Sequence, residues 1–174
     1  QFTTYVRNVH RASMRGLEAS ADWRPIDAWR IGAHLGRVDA QYDDDVLDPL
    51  RGTRLDGHRL PLVPRYNASI DAEVRSGAWY VRVEGVAAGG YVINAYEGTT
   101  GVLHEAAIPG YRIANLSGGW SGTHASLMLY AYNVADRRYF SSATFGFAGV
   151  ALYPGAVGAI GQRRTIGANL RWDY

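Results

Sequence analysis

Residues 66–75 read YNASIDAEVR, and the alternation within that stretch governs how the rest of the chain is read. Tyr66, Ala68, Ile70, Ala72 and Val74 fall on one face; Asn67, Ser69, Asp71, Glu73 and Arg75 fall on the other. No helix produces that split, whereas a strand with one face in apolar surroundings does. The last ten residues repeat it, with Ile166, Ala168, Leu170, Trp172 and Tyr174 against Gly167, Asn169, Arg171 and Asp173. Trp79, Val81 and Val83 oppose Tyr80, Arg82 and Glu84, and Leu17, Ala19, Ala21 and Trp23 oppose Glu18, Ser20 and Asp22. The alternation predicts an all-β, antiparallel chain of about eight strands. They are placed at 1–9, 14–24, 28–42, 62–75, 78–92, 110–119, 124–134 and 164–174. Pro25, Pro49, Pro61, Pro64, Pro109 and Pro154 all fall in links or at the first residues of strands, where a missing N–H is tolerated.

Composition agrees with β-structure rich in turns: 174 residues hold 21 Gly and 12 Tyr but only two Met and four Phe. Hydrophobic residues make up 47%, too many for a disordered chain. No stretch is apolar over the roughly 18 residues of a transmembrane helix, which leaves membrane-spanning strands open. There is no cysteine, so disulfides and thiolate chemistry are excluded. The arginines are dispersed among acids with a net charge of +2, which argues against a nucleic-acid partner. The chain opens on QFTTYVRN, without an initiator Met or a signal-peptide pattern, and reads as a mature piece or a fragment.

The links decide between a soluble sandwich and a membrane barrel. Tight turns around Pro25, at Ser76-Gly77 and at Gly119–Thr123 alternate with long links at 43–61, 93–109 and 135–163. Short turns on one edge and long loops on the other are the pattern of an outer-membrane barrel. Several strands also reach the roughly 9–11 residues that a tilted strand needs to cross a bilayer. Asp71, Glu73, Arg75, Arg82, Glu84, Arg112 and Arg171 are read onto the faces opposite the apolar stripes, lining a lumen. Trp23, Tyr42, Trp79, Trp120, Trp172 and Tyr174 lie near strand ends, as a membrane-interface girdle requires.

Four segments then resemble the C-terminal barrel portion of TonB-dependent outer-membrane receptors. NVHRASMRGLEASADWRP at 8–25 carries Gly16, Glu18 and a Trp before a Pro-containing turn. DGHRLPLVPRYNASIDAEV at 56–74 looks like the family's loop-to-strand entry. YRIANLSGGW at 111–120 and SLMLYAYNVADRRYF at 126–140 resemble the Tyr-x-x-x-Asn strand and the Asn-x-x-Asp-x-x-Tyr motif, here Asn133, Asp136 and Tyr139. GQRRTIGANLRWDY at 161–174 looks like the closing strand, with Arg164 in its Arg-Thr pair, Arg163 where the family carries Pro, and Tyr174 as terminal aromatic. The resemblance implies a segment of a larger barrel of about 22 strands, with plug domain and TonB box absent from this stretch. It implies an outer membrane of a Gram-negative bacterium, uptake of a scarce solute such as a ferric siderophore, and coupling to TonB–ExbB–ExbD through the plug. It also implies recognition of Tyr174 by the barrel-assembly machinery, and outer loops at 43–61, 93–109 and 135–163. Leu127, Leu129 and Ala131 face lipid on this reading, and Asn133 marks where the strand leaves it.

No catalytic constellation competes with transport. The five histidines show no metal-ligand spacing, Asp43-Asp44-Asp45 lacks the calcium-loop pattern, and no nucleophile elbow appears. No cofactor or metal is expected. Arg51, Arg54, His58 and Arg59 form a basic stretch in an outer loop, suited to an anionic iron chelate or to lipopolysaccharide phosphates. Tyr96, His104 and Tyr153 are the further candidate ligand contacts in the other two long links. Two rival readings are a complete eight-stranded barrel with a structural or adhesive role, closed by pairing of 1–9 with 164–174, and a soluble β-sandwich.

Overall fold

The computed structural model describes residues 11–43, 54–97, 103–145 and 156–173; the predicted strand at 1–9, Arg51, Tyr153 and Tyr174 lie outside them. All regular structure in the described residues is strand: β1 (Ala12–Ile26), β2 (Trp29–Tyr42), β3 (Tyr66–Ser76), β4 (Trp79–Ala88), β5 (Tyr91–Glu97), β6 (Leu103–Ile108), β7 (Tyr111–Ser121), β8 (Ala125–Tyr132), β9 (Phe140–Phe145), β10 (Ala156–Ile160) and β11 (Thr165–Trp172). Seven of these form one antiparallel sheet in the order β1-β2-β3-β4-β7-β8-β11. β5–β6 and β9–β10 form two separate hairpins. The sheet is open, with β1 and β11 as its two outer strands.

Register sorts the side chains as the alternation predicts. Ala21 pairs with Ala33, Trp29 with Val74, Ala33 with Ile70, Ile70 with Gly85, Val83 with Leu116, Leu116 with Ala131, and Ala131 with Ile166. Residues paired across an antiparallel ladder share a face, so one apolar face runs unbroken over all seven strands. Leu127 and Leu129 join Ala131 on it, through Leu170 and Ala168. This face is bare: Ile70 is 59% exposed, Leu129 55% and Leu170 72%. Contiguous apolar surface on that scale has no place in water. Buried hydrophobics among the described residues are few (Ala40, Ala88, Val92, Ile93, Ile108 and Ala143) and sit at or beyond the long-link end of the strands. The sheet therefore holds together by its ladder, not by a core of its own, and its apolar face requires a nonaqueous neighbour.

The five tryptophans of the chain all lie on that face at the short-turn end. Trp23 pairs with Ile31, Trp29 with Val74, Trp79 with Ser76 and Trp120, and Trp172 with Ala125. Indoles, apolar in body with one polar N–H, settle at a membrane–water boundary. The girdle expected at both rims is thus built of tryptophan at one rim only. Tyr42 at the opposite end pairs with Ala12, on the face that carries Asp22 and Arg30.

Four sequence expectations change. Strand 78–92 breaks after Ala88, because Gly89, Gly90 and Gly110 bring backbones closer than a Cβ permits. A Cβ on Gly90 would stand 2.6 Å from the Ile108 carbonyl oxygen, and one on Gly110 2.5 Å from that of Ala88; Pro109 opposite also withholds a ladder donor. The long links 93–109 and 135–163 contain the hairpins β5–β6 and β9–β10. Strand 62–75 starts at Tyr66, after a turn in which Leu62 takes a φ of 63°. Pro25 lies inside β1, where the ladder shifts between Trp23 and Ile26, and such a bulge spares its missing N–H.

Arg112 also moves. It pairs with Ala87, in register with Val83–Leu116, and so stands on the apolar face, not in the lumen. The cause is weak alternation in β7: Tyr111 and Ile113 are apolar on the polar side, and Ala114 and Gly118 are small on the other. Pairing to β4 fixes the parity that the local sequence leaves ambiguous.

Candidate functional site

Opposite the apolar face, β1–β4 and β7 carry a continuous polar wall. Arg30 on β2 donates from Nε to Asp22 Oδ2 at 2.6 Å and from Nη1 to Asp71 Oδ2 at 2.9 Å. Asp71 is only 6% exposed, and these partners offset the burial of its side chain. Gly32, paired with Asp71, leaves room for the carboxylate, since a Cβ there would stand 2.6 Å from Asp71 Oδ1. Arg82 lies 3.6 Å from Asp71 and 3.6 Å from Glu84. Glu84 accepts a 2.8 Å hydrogen bond from Asn115 Nδ2, and Asn115 Oδ1 accepts the Asn133 N–H at 2.9 Å. One chain of polar contacts thus crosses the sheet and ends at the segment after β8.

That segment is a latch. Asn133 is 1% exposed and takes a φ of 49°, a left-handed conformation that asparagine adopts more readily than most residues. Its Nδ2 donates to the carbonyls of Arg137 and Gln162 at 2.8 and 2.9 Å, and its Oδ1 accepts the Arg137 N–H at 2.9 Å. Asp136, also at a φ of 49°, accepts from Arg163 Nε at 2.7 Å, from Arg163 Nη2, and from the Arg164 N–H at 3.0 Å. The Tyr139 ring stacks on Tyr111 at 4.2 Å between centroids, while the Tyr139 carbonyl accepts the Gly161 N–H at 2.8 Å. Residues 133–139 therefore grip residues 161–164, closing the base of the β9–β10 excursion.

The Asp136 carboxyl is held well below its ordinary pKa of 3.8, first by the Arg163 hydrogen bonds and then by the Arg164 N–H. A depressed folded-state pKa contributes stability that is complete above the unfolded value and lost as pH falls through the folded one. The latch is thus expected to stay intact from neutrality down to about pH 4 and to loosen only under stronger acid. Hydrogen exchange at the Arg137 and Arg164 amides between pH 7 and pH 3, corrected for intrinsic rates, checks this; loss of protection by about pH 5 would contradict it.

The two hairpins are joined to each other. The Ala143 N–H donates to the Tyr91 hydroxyl at 2.9 Å, and Ile93, Ile108 and Ala143 form a small core against Tyr91. A cavity of about 760 Å³ opens beside this junction, lined by Leu62, Pro64, Tyr91, Ala143 and neighbouring small residues.

The expected site residues fall into separate groups. Asn133, Asp136, Tyr139 and Arg164 meet in the latch. Gly16 and Glu18 lie on β1, where a Cβ on Gly16 would stand 3.0 Å from the Arg37 carbonyl oxygen and Glu18 pairs with Gly36. Tyr96 and His104 are register partners across the β5–β6 hairpin. Arg54 donates from Nε to Asp56 at 2.6 Å, the His58 carbonyl accepts the Tyr42 N–H at 2.9 Å, and Arg59 bridges Gln41. Arg163, Gln162 and Glu84 carry contacts that sequence reading did not assign. Asn115 and Tyr111, quoted only as motif positions, prove to be the latch's supports. Among the described residues no cluster of His, Asp or Glu has metal-binding geometry.

A family profile described as TonB dependent receptor-like, beta-barrel matches residues 1–134. The pesticin receptor of Yersinia pestis is 28% identical over 174 residues, which is 96% of this chain and 23% of that protein. The chain thus spans under a quarter of the length of this relative. The crystal structure of the ferric yersiniabactin uptake receptor FyuA from Yersinia pestis superposes with a TM-score of 0.71 at 23% identity, covering 96% of this chain and 24% of that one. The siderophore receptor PiuA from Acinetobacter baumannii superposes at 0.67 and 18% identity, over 92% of this chain and 22% of its own. The superpositions agree with the antiparallel sheet, and the profile covers most of the sequence: the chain belongs to the TonB-dependent receptor-like β-barrel family.

Proposed function

We propose that this chain is part of the wall and outer surface of an outer-membrane receptor that imports a scarce solute, above all a ferric siderophore, in a TonB-dependent manner. The observation that carries the reading is the unbroken apolar face ending in a rim of five tryptophans, opposite a wall of paired charges. The first face suits lipid and the second suits a hydrated lumen. On this reading the tight turns are periplasmic and the joined hairpins are outside the cell. First contact with the solute falls to the outer segments, which carry His58, Arg59, Tyr96 and His104. The ferric yersiniabactin uptake receptor FyuA and the siderophore receptor PiuA among the similar structures support an iron-chelate substrate class. TonB–ExbB–ExbD act through a plug within the remainder of a barrel of about 22 strands.

The test is uptake of ⁵⁵Fe by cells lacking their own siderophore receptors and producing the full-length protein. They are offered a panel of ferric siderophores beginning with ferric yersiniabactin. Accumulation that disappears on deletion of tonB is expected; no accumulation from any chelate, or accumulation indifferent to TonB, would overturn the reading.

A further inference from the structure

All 18 cationic side chains of this chain are arginine, and most of those on the sheet's polar wall are matched to carboxylates. Off that wall, Arg112, Arg137 and Arg138, none of them matched to a carboxylate, line one pocket of about 540 Å³ at the long-link end of the sheet. Among the described residues none of the three has an ion-pair or side-chain hydrogen-bond partner, and no carboxylate lines the pocket. The nearest acid in sequence, Asp136, is committed to Arg163 and to the Arg164 N–H. The latch thus ties up the carboxylate that neighbours Arg137 and Arg138 in sequence.

The place of this pocket matters as much as its charge. Arg112 stands on the apolar face, one pleat beyond Ala114 and Leu116. Tyr66 lies on the same face, through its pairing with Arg37, and lines the pocket beside Arg112. Here the lipid-facing surface turns polar. Tyr111 closes the other side, held by its stack on Tyr139. The floor is the glycine crossing of Gly90 and Gly110, where no side chain fills the space.

We propose that this pocket binds the phosphate groups of an outer-leaflet lipid headgroup. Guanidinium forks match phosphate oxygens bidentately through charge-assisted hydrogen bonds. Tyrosine at the rim suits the boundary between acyl chain and headgroup. Arg112 and Tyr66 open the pocket toward the lipid side of the wall, where a membrane lipid reaches and a water-borne anion has no need of a site. The proposal rests on the orientation of the sheet in a bilayer and not on what the receptor imports, so ⁵⁵Fe uptake and lipid binding fail independently.

The test uses the full-length receptor in detergent, with native mass spectrometry counting bound lipid. Bisphosphorylated lipid A, dephosphorylated lipid A and inorganic phosphate are the three probes. Arg112→Gln/Arg137→Gln/Arg138→Gln is expected to weaken bisphosphorylated lipid A by at least about tenfold. Arg15→Gln, an exposed arginine outside the pocket, is expected to leave binding unchanged. Dephosphorylated lipid A should bind the native receptor no better than the bisphosphorylated form binds the triple variant. Equal binding of bisphosphorylated lipid A to native and triple-variant receptor would overturn the site, and equal binding of dephosphorylated lipid A would overturn phosphate recognition. Inorganic phosphate binding as tightly as the lipid would overturn the lipid assignment. Should the triple variant fail to assemble, Arg138→Gln alone, at an exposed residue whose side chain makes no described bond, is read in its place.

Discussion

Ile70→Arg is expected to prevent the full-length protein from assembling as a folded barrel, whereas Ser69→Arg, one residue away, leaves assembly intact. The two positions differ only in the face they occupy. Ile70 pairs with Ala33 and Gly85 in the middle of the apolar band and is 59% exposed on the surface assigned to lipid. An arginine on the lipid face of a barrel costs about 2–4 kcal/mol near the bilayer midplane. Ser69 pairs with His34 and Val86 on the polar wall, where a guanidinium meets water and neighbouring polar groups. Heat-modifiable migration on electrophoresis, with the amount of protein recovered in outer membranes, reads the difference. Equal recovery of the two variants would refute the face assignment.

Asn133→Ala is the second large effect expected, at about 3–4 kcal/mol. The substitution removes three side-chain hydrogen bonds from a site that is 1% exposed, each worth about 1 kcal/mol or more when a buried partner is left unsatisfied. It also places alanine at a φ of 49°, adding about 1 kcal/mol of left-handed strain. Asn133→Gly relieves the strain without restoring the bonds, so it recovers only the smaller part. The readout is limited proteolysis of the 135–163 segment in the full-length protein. Asn133→Ala should be cut rapidly there and Asn133→Gly at an intermediate rate. Identical cleavage of all three proteins would show that Asn133 does not hold the excursion shut.

The faces of the sheet were legible in the sequence because a period of two leaves few alternatives once one face is apolar. Residues 66–75 show this best, since every odd–even assignment survives in the register. What failed to show depends on partners far along the chain. Arg163, read only as a substitution for the family's Pro, proves to be the counter-charge of Asp136, 27 residues away in sequence. The break after Ala88 comes from backbones crossing at Gly90 and Gly110, an approach that only the pairing of β4 with β7 creates. The face of Arg112 is not legible locally because β7 alternates weakly, and its neighbours on β4 decide its parity. The candidate ligand contacts remain expectations placed in the long links by the local sequence. The local sequence did not show that links 93–109 and 135–163 contain the strand pairs β5–β6 and β9–β10, joined through Tyr91 and Ala143.

The most direct test of the central claim is a spin-label accessibility scan of the full-length protein in lipid bilayers. The described chain has no cysteine of its own, so single cysteines along residues 66–76 and 111–121 report each position in turn, with any cysteine elsewhere in the protein replaced. Collision with molecular oxygen, which concentrates in the hydrocarbon, is expected to peak at 68, 70, 72 and 74 on β3 and at 114, 116 and 118 on β7. Collision with a water-soluble nickel complex should be suppressed at those positions, and label 112 should mark the outer edge of the oxygen-rich band. Uniform exposure to the nickel complex along both strands, or the opposite parity on either, would contradict a wall with lipid on one side and a hydrated lumen on the other.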